Sequence, residues 1–301
     1  MKRLIITADD FGAAREVNDA VEAAHRGGVL SAASLMVSAP ATADAIARAR
    51  RMPSLRVGLH LVLVEGRPVL PSSAVSHLVG ADGRFRSNLV AYGTTIAGSR
   101  RARRELAAEI TAQFAAFRDS GLPLDHCNAH KHFHLHPVVG QLLAVIGRRF
   151  GLRAVRVPLE PVRVLRKVEG RTRRTPDLLT APFALALRRR LSAAGLVAAD
   201  RLFGLRWSGH MTRARLAGLI RSLPDGLTEI YLHPATGLFP GAAAGYRYRE
   251  ELEALMAPEV LAACRDPSLR LGGFDDFLET EAAAGAQGAL HRSDMSRRVS
   301  S

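Results

Sequence analysis

The sequence predicts an α/β protein built on a parallel sheet. Three observations carry that expectation. Short apolar runs alternate along the chain with longer segments whose apolar residues recur at helical spacing. The short runs are continuously apolar, as strands covered on both faces are. No GxGxxG follows the first of them, which removes the main reason to prefer a dinucleotide-binding sheet. A barrel and a doubly wound sheet both satisfy this pattern.

The elements follow in order. Residues 4–8 are a buried strand that runs into Asp9-Asp10. Residues 14–26 place Val17, Ala20, Val21 and Ala24 on one helical face and stop at Gly27-Gly28. A second strand is expected at 29–37, and Pro40 opens a helix through residue 51. Residues 55–61 are a third strand and contain His60. Residues 64–99 have no clean period and read as a long loop or inserted lobe. A helix at 101–120 carries Leu106, Ile110, Phe114 and Phe117 on one face. A strand at 124–127 leads into the stretch "NAHKHFHLHP", and Pro137 opens a helix to about residue 150. Residues 154–157 read as a strand. The segment 160–205 is a second insertion, basic and poor in strand signals, with a helix around 183–194. Helix 212–223, strand 229–233, helix 250–265 and strand 269–271 follow, and "FDDFLE" starts a terminal helix. One domain spans 1–282, and the small, polar tail 283–301 is expected to be disordered.

Composition narrows the class. An apolar content of 48% over 301 residues supports a sizeable core. No apolar run approaches the roughly 20 residues needed to span a bilayer, and the N-terminus turns acidic too soon for a signal peptide. A cytoplasmic protein is expected. Cys127 and Cys264 stand far apart without a CxxC partner, so no disulfide framework is expected, and Cys127 reads as a small buried strand residue. The net charge is +14, and residues 153–190 hold eleven Arg or Lys against Glu160, Glu169 and Asp177. Aromatics are not interleaved with these basic runs and no nucleic-acid-binding motif is visible, so nucleic acid is not an expected partner. An anionic membrane surface is compatible with the basic segment, and so is a solvated basic face.

The chemistry gathers at strand ends. Asp9 and Asp10 follow the first strand, His60 ends the third, His130 follows the strand before the histidine stretch, and His233 ends "EIYLH". Each has a structural reading alone, as a helix cap or a hydrogen-bonded histidine. Together they place two carboxylates and three imidazoles on the face where a parallel barrel carries its active site. One carboxylate with two imidazoles makes a metal site with open positions. The other aspartate suits a general base, and a histidine from the opposite side suits a general acid. In an extended chain His130, His132 and His134 would share one face, and they cannot all be ligands if Asp10 and His60 also bind. His136, before Pro137, reads as a turn residue.

These residues sit in motifs that resemble the YdjC-type carbohydrate deacetylases, also called the ChbG family. The motifs are "ITADDFG" at 6–12, "VGLHLVLVEGRPV" at 57–69, "HKHFHLHP" at 130–137 and "YLHP" at 231–234, in family order. The stretches "NAHKHFHLHP", "VRVPLEP" and "WSGHMT" are similar to the hopanoid-biosynthesis-associated HpnK subgroup. The resemblance implies a distorted (β/α) barrel similar to polysaccharide deacetylases. It also implies metal-dependent removal of an N-acetyl group from an amino sugar. Carried onto this chain, it makes Asp10, His60 and His130 ligands of one divalent ion, magnesium or zinc. It makes Asp9 the general base and His233 the general acid, and leaves His132, His134 and Asn128 as supporting or substrate-side groups. Where many members have Asp-Ser before the first histidine, this chain has Asn128-Ala129. The subgroup match implies an N-acetylglucosaminyl hopanoid as substrate and a peripheral place on the inner membrane face. A homo-oligomer is compatible with the family, but the sequence carries no interface signal. The alternatives are another metallohydrolase on a similar barrel, such as a phosphoesterase, and a non-catalytic sugar or lipid binder.

Overall fold

The computed structural model describes residues 1–170 and 177–278. Its strands are β1 (Lys2–Phe11), β2 (Ala32–Leu35), β3 (Arg56–Leu61), β4 (Cys127–Ala129), β5 (Arg201–Phe203), β6 (Gly226–Leu232) and β7 (Leu269–Leu271). All the strand pairs are parallel, in the order β4-β3-β2-β1-β6-β5, with β7 beside the start of β1. Beyond β4 the pairing continues as single bridges, Cys127 to Val155 and Ala154 to Val197. Residue 197 leads toward β5, and the Leu202 N–H donates to the Leu159 carbonyl. The sheet therefore curls back on itself, and the chain forms the distorted parallel barrel that its motifs implied. The strand expected at 154–157 contributes only these bridges.

The helices are α1 (Arg15–Gly27), α2 (Thr42–Arg50), α3 (Leu89–Gly98), α4 (Arg100–Asp119), α5 (Pro137–Arg149), α6 (Val162–Glu169), α7 (Asp177–Ala193), α8 (Arg213–Arg221), α9 (Tyr248–Met256) and α10 (Pro258–Cys264). Four of these differ from expectation. Helix α3 lies inside the segment read as a loop, capped by the Asn88 side chain on Ala91 N–H. Helix α6 lies in the segment read as basic and poor in strand signals, ahead of the one helix expected there. The single helix expected at 250–265 is two, because Pro258 lacks the N–H to continue α9 and starts α10 instead. Helix α4 also hides a polar row behind its apolar face. Glu105, Glu109 and Gln113, four residues apart, accept from the backbone N–H groups of His77, Val69, Leu70 and Val62, tying the 62–77 loop to the barrel wall. The tail from residue 283 lies outside the described residues.

Residues facing outward from the strands, such as Leu4, Ile6, Leu59 and Ile230, pack under the helices in the main core. Those facing inward form layers. The floor is apolar: Ile5, Ala32, Ala154, Ala199 and Leu227 meet Phe274, Phe277 and Leu278 of the short helix at 274–278, which plugs the barrel. Above the floor the lumen turns polar, with Thr7, Ser34, His126, Asn128, Arg156 and Glu229 all buried. Such residues are tolerable there only because they bond to one another. A polar lumen over a closed apolar floor delivers charged groups to the C-terminal rim and nowhere else.

Candidate metal centre and catalytic groups at the barrel rim

Strand β1 ends in an irregularity. Its register against β2 shifts between Ala8 and Phe11, and Asp10 adopts φ 62°. In a regular strand Asp9 and Asp10 would face opposite sides. The bulge turns both toward the rim, and each then meets a different set of partners.

Asp10 Oδ1 lies 3.2 Å from His60 Nε2 and 3.3 Å from His130 Nδ1, and the two nitrogens are 3.4 Å apart. The three atoms form a triangle. An ion held at about 2.0–2.1 Å by tetrahedral ligands has ligand separations of about 3.4 Å. Asp10 Oδ1 is buried and makes no well-formed hydrogen bond, so it could accept a cation. His60 Nδ1 is held at 2.6 Å by Asn128 Oδ1, which leaves Nε2 as the nitrogen that could ligate an ion. Among the described residues Asp10, His60 and His130 are the one group arranged to hold a metal ion. Burial works against the Asp10 charge, but the two imidazoles outweigh it and hold the carboxyl well below its usual range. Burial also opposes charge on His130, and Asp10 reverses that and raises it. The donor set fits a divalent ion.

Asp9 faces the lumen. Its Oδ2 accepts from Arg156 Nη1 at 2.5 Å, and its Oδ1 accepts from Arg156 Nη2 at 2.9 Å and Asn128 Nδ2 at 3.2 Å. Arg156 is fully buried and shared, since its Nε and Nη2 also donate to Glu229 Oε1 at 3.0 and 2.7 Å. Thr7 Oγ1 donates to the same Glu229 oxygen. Burial alone would raise the Asp9 pKa, but the Arg156 charge and bidentate bond, with help from His60 and His233, hold it far below the usual carboxylate range. Arg156 was counted within a basic surface segment on sequence grounds. It is instead the central cation of the lumen, and its guanidinium also stacks over the Tyr231 ring.

The histidine stretch is not extended. Residues 130–135 form a tight turn in which Lys131 and His132 take left-handed backbone angles, and Lys131 pairs with Glu65, itself left-handed. Such angles in non-glycine residues are strained, and they concentrate at this rim. The turn separates the histidines that one extended face would have aligned. His130 joins the trio. His132 Nε2 meets the Tyr231 hydroxyl at 3.1 Å. His134 is fully buried and donates from Nε2 to the Arg156 carbonyl at 2.9 Å, so it supports the backbone behind Asp9. Burial pushes His132 well below its ordinary value and His134 down to about 4, so both are neutral at pH 7. His136 stacks on Phe133 and leads into α5.

His233 follows β6. Its backbone N–H donates to Glu251 Oε2 at 2.6 Å, and its ring lies edge-on to Tyr231 and Tyr246. Burial lowers its pKa, while Asp10 and Asp9 pull it back upward. Glu251 also accepts from Met211 N–H and is pushed up by burial to about 7.

Sequence reasoning missed Arg156, Glu229, Tyr231 and Glu251. A signal existed for two of them. Arg156 interrupts "AVRV" and Glu229 interrupts "LTEIYL", and a charge inside an apolar strand is either an error of reading or a lumen residue.

A parallel α/β barrel with a carboxylate and two imidazoles converging at its strand C-termini defines a barrel protein with an Asp-His-His centre. Comparison with known proteins gives it a family. Residues 3–266 match the YdjC-like protein family. A carbohydrate deacetylase of Geobacillus stearothermophilus is 30% identical over 277 residues, covering 91% of this chain and 97% of that one. A human carbohydrate deacetylase is 31% identical over 305 residues, covering 91% of each. The fold matches a crystal structure of a proposed cellobiose-phosphate cleavage protein from Enterococcus faecalis, with a TM-score of 0.71 at 21% identity over 92% of this chain and 98% of that one. The chain belongs to the YdjC-like family.

Proposed function

We propose that this protein is a metal-dependent carbohydrate deacetylase that hydrolyses the N-acetyl group of an amino sugar. The observation that carries the reading is the Asp10–His60–His130 triangle beside a separately clamped carboxylate, Asp9. A divalent ion held by the triangle would supply Lewis acidity toward the amide carbonyl. Two imidazoles in the donor set favour zinc over magnesium, which prefers oxygen ligands.

In this reading Asp9 takes a proton from the attacking water. The buried cluster of Asp9, Arg156 and Glu229 carries one net negative charge while Asp9 is ionised. It becomes neutral once Asp9 is protonated. Glu229 thus offsets part of the Arg156 effect and makes proton uptake less costly than it would be in an isolated ion pair. His233 delivers a proton to the leaving amine nitrogen as the C–N bond breaks, and acetate and a free amine depart. Burial disfavours a resting charge on His233, so the proton that it delivers reaches it within the cycle; the proton that Asp9 took from the water is the one available, and its passage to His233 returns both groups to their starting state. The clamp on Arg156 also argues against a phosphoesterase, since both faces of its fork are taken by carboxylates.

The same proposal extends to the substrate. The "VRVPLEP" and "WSGHMT" stretches support placement in the HpnK-like subgroup, and with it the N-acetylglucosaminyl head of a hopanoid glycolipid. Helix α7 supports a membrane-resident substrate. It exposes Phe183 and Leu185 beside Arg189 and Arg190, next to an apolar cavity of about 310 Å³ lined in part by Leu135, Pro182 and Phe183. Apolar and basic groups on one face suit an anionic bilayer surface. No helix among the described residues is long and apolar enough to cross one. Two measurements test the proposal. Acetate should be released from N-acetylglucosaminyl glycolipid and lost with chelator; release unaffected by chelator, or none from any N-acetylated glycan, contradicts it. Sedimentation with anionic vesicles should occur at low salt and fade as salt rises; its absence at low salt removes the membrane contact alone.

A further inference from the structure

Behind the triangle lies a buried polar row that the proposed chemistry does not use. Ser34 on β2, and Asp125 and His126 just ahead of β4, are 0%, 1% and 0% exposed. His126 Nδ1 lies 2.8 Å from Asp125 Oδ2, and its Nε2 lies 3.0 Å from Ser34 Oγ. A serine, a histidine and an aspartate in that order resemble a hydrolase triad. Here the hydroxyl is fully enclosed, and its oxygen already accepts from Asn128 Nδ2 at 2.8 Å. It is no nucleophile.

Donor chemistry gives the row one direction. Asp125 only accepts, so His126 gives it the Nδ1 hydrogen, and Nε2 of the singly protonated ring takes the serine hydrogen. Ser34 Oγ then accepts from Asn128 Nδ2 at 2.8 Å, the shorter bond of that amide nitrogen, and the other Nδ2 hydrogen reaches Asp9 at 3.2 Å. Asn128 Oδ1 is thereby turned to His60 Nδ1, which must carry a proton, so an ion in the triangle would be met by Nε2. The oxygens of Asp125 also accept the N–H groups of Phe274 and Asp275, at the start of the plugging helix. Asn128, where many family members carry Asp, lets one side chain donate twice and accept once.

The strand between makes room for this. Gly58 sits on β3, between Ser34 on β2 and His126 ahead of β4. A Cβ there would stand 2.6 Å from two ring carbons of His126 and 2.5 Å from its carbonyl oxygen. Only glycine lets the imidazole cross β3 and reach Ser34.

We propose that Ser34, His126 and Asp125 are positioning residues: through the Asn128 amide they keep the His60 Nδ1–H directed at the amide oxygen and hold Asp9 in register with it. The consequence for metal affinity rests on the reading of Asp10, His60 and His130 as ligands; the Nδ1 hydrogen bond does not.

The test uses the full chain with two readouts. Imidazole ¹H–¹⁵N correlations of the metal-free protein report whether His60 Nδ1 carries its proton. Visible absorption during Co²⁺ titration reports affinity and ligand geometry. In the wild type the His60 Nδ1–H should be fully populated and hydrogen-bonded. Ser34→Ala should leave it partly populated and raise the Co²⁺ dissociation constant by about tenfold to a hundredfold. Ser34→Thr, which keeps the hydroxyl, should restore both, and Asp125→Asn should lower the Nδ1–H population by less. Ser31→Ala removes another buried hydroxyl, just ahead of β2 and bonded to the Ile6 backbone, and should lower the unfolding temperature while moving neither readout. A wild-type His60 Nδ1–H in both Ser34→Ala and Asp125→Asn overturns the proposal. Its loss in a protein that binds no Co²⁺ supports the positioning row and overturns the ligand assignment instead.

Discussion

Asp9 and Asp10 leave the same strand end, yet protein donors occupy both oxygens of Asp9 while Asp10 Oδ1 has no well-formed hydrogen bond. The lumen side of the rim is complete as it stands, with Arg156 shared between Asp9 and Glu229. On the other side three donor atoms face each other across 3.2–3.4 Å, a spacing that could hold a metal ion. The pair separates a carboxylate occupied by protein donors from one placed where a cation would fit.

Breaking the open side should have the largest effect. His60→Ala and His130→Ala should lose metal occupancy, and turnover should fall below detection in an acetate-release assay. A fully metallated and active His130→Ala protein would shift the ligand role to His132 or His134. Breaking the closed side should cost stability instead. Arg156→Met leaves Asp9 and Glu229 buried without their cation, so urea unfolding should show a loss of about 3–5 kcal/mol. In the proposed reading Asp9→Asn spares the metal ligands and removes the base, so turnover should fall by about 10²–10⁴-fold. The smallest effect concerns the support behind the clamp and depends on pH. His134 is depressed to about 4 when folded. Its contribution is therefore present above the ordinary histidine range and lost as pH falls through about 4. The loss is on the order of 3 kcal/mol in all. His134→Gln should flatten the decline of unfolding temperature between about pH 6.5 and pH 4.

The same division explains what the sequence revealed. Strand ends were legible, because a continuous apolar run that stops in Asp or His announces both the strand and the group it delivers. Asp9, Asp10, His60, His130 and His233 all came from that signal. The lumen was not legible. Arg156 looked like one more charge in an arginine-rich segment, and only the curl of the sheet shows that position 156 points inward at Asp9. The turn at 130–135 was missed because two left-handed non-glycine residues have no local sequence signature. Helix α3 was hidden by Gly93 and by Thr94-Thr95, which lower helix propensity, though Asn88 offered a cap. The break at Pro258 was visible and was overridden by the apolar period on either side of it.

The central claim is that neighbouring carboxylates have separate duties, with the ion held by Asp10 and not by Asp9. Elemental analysis of purified wild type, Asp9→Asn and Asp10→Asn tests it most directly. The expected result is about one divalent ion per chain in the wild type and in Asp9→Asn, and essentially none in Asp10→Asn. Full occupancy in Asp10→Asn, or its loss in Asp9→Asn, would contradict the account.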